Sequence, residues 1–312
     1  MSPTHTHSSH HGAPHDAHQG APHDAHQGAG HAHHAGHATP VTEVGDQAEI
    51  LDLDAEVLAE HIATITAWLP VGSGPREIVD LGCGTGAGTF ALLDRFPEAY
   101  VTAVDSSAEH LHRLREKACA QGRQDRVRTV QADLDATAWP DLGNPDLVWA
   151  SASLHHMADP DRALRAVHDV LAPGGLFAVV ELAGFPRFLP EDAPEDRPGL
   201  EGRCYAARDR FHAEHVPHRG ADWGPKLAEA GFTVEGERVI AVDIDGAGNP
   251  AVGRYALSAL RSLRHTAADA LPAEDVAALD RLLDTDGPHS VLRRDDLAVR
   301  TERTVWAARR AN

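Results

Sequence analysis

Three glycines and three acidic residues in the first half of the chain carry chemistry that can be read from type and spacing. Glu77-Ile78-Val79-Asp80-Leu81 reads as a buried strand, and Gly82-Cys83-Gly84-Thr85-Gly86-Ala87-Gly88 as the turn that ends it. Glycines there permit positive φ and let a ligand come close to the backbone. Asp105 ends the next apolar run, 19 residues after Gly86. A carboxylate at that place can accept hydrogen bonds from both hydroxyls of a ribose. The pair fits any nucleoside-bearing cofactor. Gly82-x-Gly84-x-x-Ala87 also meets the loose dinucleotide pattern, so an NAD(P)-binding oxidoreductase stays open at this point. Asp133-Leu134 closes a third apolar run, and Ser151 a fourth, which leads into Ser153-Leu154-His155-His156-Met157. His155 and His156 are candidate general bases, needed where an acceptor arrives protonated. The competing reading is that one of them packs or caps the following turn.

These residues need strands and helices to position them. Candidate strands are 77–81, 99–105, 126–132, 145–151 and 175–182, with helices over 87–95, 107–121 and 160–171. Strands this continuously apolar, alternating with helices, predict a parallel sheet covered on both faces. Before them, Ile50, Leu53, Val57, Leu58, Ile62, Ile65 and Leu69 recur at helical spacing over 46–69, and the Pro70–Pro75 stretch ends that helix. After them, 183–221 reads as a long irregular insertion rich in arginine, proline and glycine. A helix is expected at 222–230, closed by Gly231, then a strand at 232–245, helices within 250–297 and a last strand at 300–310.

Composition narrows the function classes. The 312 residues hold 28 Lys and Arg against 47 Asp and Glu, a net charge of −19 with His neutral. That balance argues against a nucleic-acid partner and against a polybasic membrane surface. No apolar run is long enough to span a bilayer. Cys83, Cys119 and Cys204 form no disulfide framework, and the N-terminus lacks a secretory layout, so a cytoplasmic location is expected. Cys83 suits its loop by being small, and no Cys-x-x-Cys spacing points to zinc.

Twelve of the 23 histidines fall in residues 1–40, which contain no Lys, Arg, Leu, Ile, Val, Phe, Trp or Tyr. With nothing to bury, this segment is expected to be a disordered tail. GAPHDAHQ occupies 12–19 and again 20–27, and GAGHAHHA at 28–35 reads as a decayed third copy. Imidazoles suit Ni and Zn. His15, His18, His23, His26, His31, His33, His34 and His37 are therefore candidate metal ligands. A metal-handling protein acting through this tail is an alternative function.

Taken in order, the Gly loop, Asp105, Asp133-Leu134, the His-His-Met segment and Leu171-Ala172-Pro173-Gly174-Gly175 closely resemble class I S-adenosylmethionine-dependent methyltransferases, in their small-molecule branch. The resemblance covers roughly 76–182. It implies a Rossmann-like α/β fold: seven mostly parallel strands, the last antiparallel, with helices on both faces. A helical insertion between strands six and seven departs from the family pattern. It implies S-adenosyl-L-methionine as cofactor and a small-molecule acceptor. By the same resemblance, Gly82, Gly84 and Gly86 lie under the methionine and ribose, and Asp80 helps hold the amino group. Asp105 takes the ribose hydroxyls, and Ser106 neighbours the adenine. Asp133 accepts from the adenine amino group with Leu134 packed beside it, and Ser151 sits beside the reacting methyl. The 183–221 and 250–297 segments are expected on the acceptor side, and the latter either covers the site or builds a homodimer interface. His212, His215 and His218 form a second group of candidates, and Tyr205 and Trp223 are candidate walls of an acceptor pocket.

Overall fold

The computed structural model describes residues 41–72, 74–215 and 218–312, without the side chains of 41–46 and 210–215. The histidine-rich segment and its eight candidate ligands lie outside the described residues.

The chain forms α1 (Val41–Val57), α2 (Ala59–Trp68), β1 (Glu77–Leu81), α3 (Ala87–Arg95), β2 (Tyr100–Asp105), α4 (Ala108–Ala120), β3 (Val127–Gln131), β4 (Leu147–Ser151), α5 (Pro160–Val170) and β5 (Leu176–Leu182). It continues through α6 (Leu200–His215), α7 (Trp223–Glu229), β6 (Phe232–Asp245), α8 (Pro250–Ala267), α9 (Ala273–Leu283) and β7 (Ala298–Arg310). One seven-stranded sheet runs in the order β3-β2-β1-β4-β5-β7-β6. The first five strands are parallel, and β7 is antiparallel to both β5 and β6. This is the Rossmann-like arrangement expected. From β1 the chain steps outward to β2 and β3, then returns to place β4 on the other side of β1. That reversal opens a crevice at the carboxyl ends of β1 and β4, where open α/β sheets bind ligands.

Local chemistry accounts for the elements. β1 and β4 are buried along nearly their whole length, as strands covered on both faces must be. Asp159 caps α5 by accepting from the Arg162 amide at 2.9 Å, with Pro160 at the first helical position. Ser107 and Asp222 cap α4 and α7 in the same way. The helix expected at 46–69 is two helices that meet at Leu58, whose side chain is wholly buried. No described helix is long and apolar enough to cross a membrane.

The largest correction to the sequence reading lies in 183–221. What reads as an irregular insertion contains the 16-residue helix α6. Its buried residues, Leu200, Glu201, Cys204, Tyr205, Ala207 and Arg208, do follow helical spacing. Two of them are charged, which hides the period from any hydrophobicity pattern. Glu201 is buried because it has work for its oxygens: they accept from the amides of Phe188 at 2.9 and 3.1 Å and of Leu189 at 3.0 Å. Burial raises the Glu201 pKa above the ordinary carboxylate value, and those two amides oppose the rise.

A second correction concerns the aromatic residues. Trp223 is fully buried in the core beneath α7, among Leu171, Phe177 and Trp306. Tyr205 is buried too and donates its hydroxyl to the Pro186 carbonyl at 2.6 Å. Both pack the interior, and neither lines the crevice described below. The 250–297 insertion packs through Val252, Tyr255, Leu260 and Leu279 against Leu53 and Leu58 of the first two helices and against Phe188.

Glu201→Ala should leave two buried amides without acceptors. Each such loss costs about 1–3 kcal/mol. The urea midpoint should fall accordingly with the m-value unchanged, and an unmoved midpoint would show that water replaces the carboxylate.

Candidate functional site

A cleft of about 480 Å³ opens over the carboxyl ends of β1, β2 and β4. Its floor is the turn after β1. Gly82 has φ +66°, and a Cβ there would lie 2.4 Å from the Ser153 Cβ, so only glycine fits. The Gly82 and Cys83 amides donate to the Val104 carbonyl at 2.8 and 3.0 Å, which binds the turn to β2. Gly84, at φ +52°, faces Leu51 of α1, whose Cδ1 would be 3.1 Å from an added Cβ.

Asp105 ties this turn to the next helix. One carboxylate oxygen accepts from the Gly84 amide at 2.9 Å. The other accepts from the Ser107 amide at 2.8 Å and lies 3.3 Å from His110 Nδ1. Burial by itself would raise Asp105, but His110 and the two amides outweigh it and hold the carboxyl below its ordinary value. Asp105 is therefore ionised, and a carboxylate has about four acceptor positions, so capacity remains for a ligand.

Asp80 behaves in the opposite way. It is buried beside the cleft, and burial pushes its pKa up to about 7, with the charge of Asp105 adding to the rise. The Thr89 hydroxyl, donating at 2.6 Å, opposes that rise.

The structure brings together every residue expected to hold a cofactor except one. Asp80, Gly82, Gly84, Asp105, Ser106, Asp133, Leu134 and Ser151 all line the cleft. Gly86, at φ +101°, sits behind it as the N-cap of α3. Asp133 is exposed, and one of its oxygens accepts from the Asp135 amide at 2.9 Å. The two histidines part company. His156 lines the cleft. His155 is buried and not among the lining residues: its Nδ1 lies 2.5 Å from Glu181 of β5. Glu181 also accepts from the amides of Leu154 and His155 at 2.9 and 3.3 Å. His155 therefore braces the turn that presents its neighbour. The side chains of His212 and His215 lie outside those described. His218 lies in the turn before α7 and does not line the cleft. Among the described residues, no group of three or more His, Cys, Asp or Glu side chains is arranged to hold a metal.

Sequence reasoning missed the other wall. Gln47, Leu51, Asp54 and Ile62 from α1 and α2, and Arg303 from β7, complete the cleft. Asp54 accepts two contacts from the Arg303 guanidinium, at 2.7 and 2.8 Å, and one from the Tyr255 hydroxyl at 2.7 Å. Nothing local in the sequence pairs residues this far apart.

Four buried polar atoms on cleft residues have no partner: Thr85 Oγ1, His110 Nε2, Trp149 Nε1 and Arg303 Nε. Buried polar groups are nearly always satisfied, so this concentration marks the place of a polar ligand. A crevice at the strand reversal, a glycine turn, an ionised Asp105 and unsatisfied donors suit a nucleoside-bearing cofactor such as S-adenosylmethionine.

The comparisons agree. A family model described as a methyltransferase domain matches residues 79–177. A trans-aconitate 2-methyltransferase of Rhodococcus jostii is 33% identical over 210 residues, 64% of this chain and 74% of that protein. A protein of the same name from Acidovorax is 41% identical over 105 residues, 34% of this chain, which spans only 38% of that relative's length. A methyltransferase crystal structure from Bacillus halodurans has a TM-score of 0.50 at 18% identity and covers 80% of this chain and 99% of that one; it bears on the fold alone. The chain belongs to the class I S-adenosylmethionine-dependent methyltransferases. The comparisons give no support to the NAD(P) oxidoreductase reading.

Because Asp80 ionises near pH 7 in the folded chain and near 3.8 when unfolded, the folded state holds its proton more tightly between those values. The contribution of Asp80 to stability therefore falls as pH rises from about 4 to about 7. Asp80→Asn should raise the Tm of the ligand-free protein at pH 8, with a gain that shrinks steadily toward pH 5. A gain equal at both pH values would show that Asp80 is already ionised at pH 5.

Proposed function

We propose that this chain transfers a methyl group from S-adenosylmethionine to a small-molecule acceptor in the cleft over β1 and β4. The observation that carries the reading is the set of unsatisfied buried atoms on Thr85, His110, Trp149 and Arg303 around the glycine turn. When bound, the cofactor supplies a methyl group on a sulfonium, already activated toward a nucleophile.

The residues then have the following work. The Gly82–Gly86 turn supports the methionine and ribose portions. Asp105, ionised, accepts from the ribose hydroxyls while it holds the turn. Asp80 faces the cofactor's ammonium group, whose positive charge favours the ionised carboxylate against the cost of burial. Ser106, Asp133 and Leu134 border the adenine, and Ser151 lies on the side of the reacting methyl. The protein's main contribution is alignment of the acceptor, since proximity and orientation supply a large part of such a rate. His156 is the one histidine of the pair at the cleft, and it takes the acceptor's proton where there is one to remove.

The relatives are named for trans-aconitate, an organic acid. A carboxylate oxygen of such an acceptor attacks with its own lone pair, so its acceptor atom needs no base. Trans-aconitate is the first acceptor to try, within a panel of small carboxylic acids, phenols and amines.

Calorimetry with S-adenosylhomocysteine tests the cofactor assignment. Wild type should bind saturably. Asp105→Ala should weaken binding about 10- to 100-fold, since hydrogen bonds to a charged group are worth about 1.5–3 kcal/mol. Equal affinity in the two proteins would sink the role given to Asp105, and absence of binding to wild type would sink the proposed function. For an acceptor that loses a proton, His156→Ala should lower kcat by about 100-fold with cofactor affinity unchanged. An unaltered kcat would leave His156 as cleft wall only.

A further inference from the structure

Several arginines of this acidic chain meet a carboxylate. Arg197, Arg203, Arg264, Arg281, Arg303 and Arg309 each form an ion pair. Three others gather in one place and form none among the described residues: Arg187 after β5, Arg208 on α6 and Arg219 before α7. Arg208 lies 3.1 Å from the centre of the Phe185 ring and Arg219 lies 3.7 Å from it. Both guanidinium groups therefore lie against the Phe185 ring. Tyr205, stacked against Phe185 with centroids 5.6 Å apart, carries Arg187 at 4.1 Å and Arg208 at 4.7 Å.

This nest is electrostatically incomplete. Nε and Nη2 of Arg208, and Nε and Nη1 of Arg219, are buried with no hydrogen-bond partner among the described residues. The Arg208 residue is 6% exposed. Burial pulls its pKa down to about 10, so it remains a cation at neutral pH. The nearby carboxylates are occupied elsewhere: Glu201 by the amides of Phe188 and Leu189, and Glu181 by His155. Asp209 acts on both arginines through its charge but forms no ion pair with either. Cation–π contact returns only part of the cost of burying unpaired charge. Planar guanidinium groups with free N–H donors match a carboxylate, and the aromatic rings between them suit an organic acid over a bare inorganic ion.

The nest is linked to the cleft through Glu181. Phe185 is three residues past the end of β5. Arg219 in the nest and Arg303 in the cleft both act on Glu181 through their charges. Glu181 in turn holds the His155 turn that presents His156.

We propose that Arg208 and Arg219, stacked on Phe185, form an anion site for a carboxylate group of a small organic acid, and that this group anchors the acceptor beside the methyl-donor cleft. The anchoring role rests on the methyl-transfer reading; the anion site itself does not.

The test uses the full chain at pH 8, first saturated with S-adenosylhomocysteine. Citrate, malonate, inorganic phosphate and the neutral dimethyl ester of malonate are titrated by calorimetry. Malonate or citrate should bind, the ester should not, and phosphate should bind more weakly than the acids. Arg208→Gln and Arg219→Gln should each weaken acid binding at least about tenfold, in line with the loss of a charge-assisted pair. Arg238→Gln, on the exposed surface of β6, should leave it unchanged. S-adenosylhomocysteine affinity should be the same in all these proteins. Removing an unpaired buried charge should also leave the Tm of Arg208→Gln equal to or above wild type. The site is overturned if acids bind wild type and both variants alike, if the ester binds as well as malonate, if phosphate binds more tightly than the acids, or if wild type binds no acid. A lower Tm with unchanged acid affinity would make the arginines a structural stack and overturn it equally. Failure of S-adenosylhomocysteine to bind would instead defeat the methyl-transfer reading, and acid titration of the unliganded chain would still decide the anion site.

Discussion

The Asp105 carboxylate is the point on which the site depends. One side chain at the end of β2 holds the glycine turn through the Gly84 amide and the start of α4 through the Ser107 amide and His110. The turn can come that close only because Gly82 and Gly84 adopt positive φ where side chains would meet Ser153 and Leu51. The same contacts that shape the loop keep Asp105 ionised, because they favour its charged form. Asp80, one strand away, is more deeply buried, and burial pushes its pKa up to about 7 against the hydrogen bonds it receives from Thr89. Two carboxylates on one cleft are thus set apart by the depth of burial of one and the donors and imidazole around the other. A cationic group placed between them would be drawn to both.

A second set of contacts closes the cleft from outside the sheet's first half. Asp54 on α1, Arg303 on β7 and Tyr255 on α8 form one buried network. It fastens the first helix to the helical insertion and to β7, which runs antiparallel to β5 and β6. The insertion therefore packs on the same side as the cleft's helical wall. Its interior contacts with Leu53 and Phe188 are apolar and extensive. The arginines around Phe185, which form no ion pair among the described residues, are linked electrostatically to Arg303 of the cleft through Glu181.

Much of this was legible beforehand. The five parallel strands and the helices between them follow from apolar runs bounded by Gly, Pro and capping residues, and their boundaries agree closely with 77–81, 87–95, 160–171 and 232–245. The Gly loop, Asp105 and Asp133 stood out because strand ends and glycines are local signals. α6 did not, because Glu201 and Arg208 lie on its buried face and break the apolar period. His155 and His156 could not be told apart, since adjacent residues in a turn point in different directions and only Glu181 shows which one is held inside.

What the sequence by itself determined is the strand-turn-helix chemistry of the cofactor half, together with the acidic character of the chain outside residues 1–40. These are properties of short segments, decided by backbone sterics, hydrophobic period and charge count. Only the tertiary structure decided the far wall of the cleft, the division of labour between the two histidines, and the meeting of Arg187, Arg208 and Arg219 on two aromatic rings. Each of those depends on side chains brought together from distant parts of the chain. Whether a buried charge is matched or left open is a property of that assembled neighbourhood, and no single segment contains it.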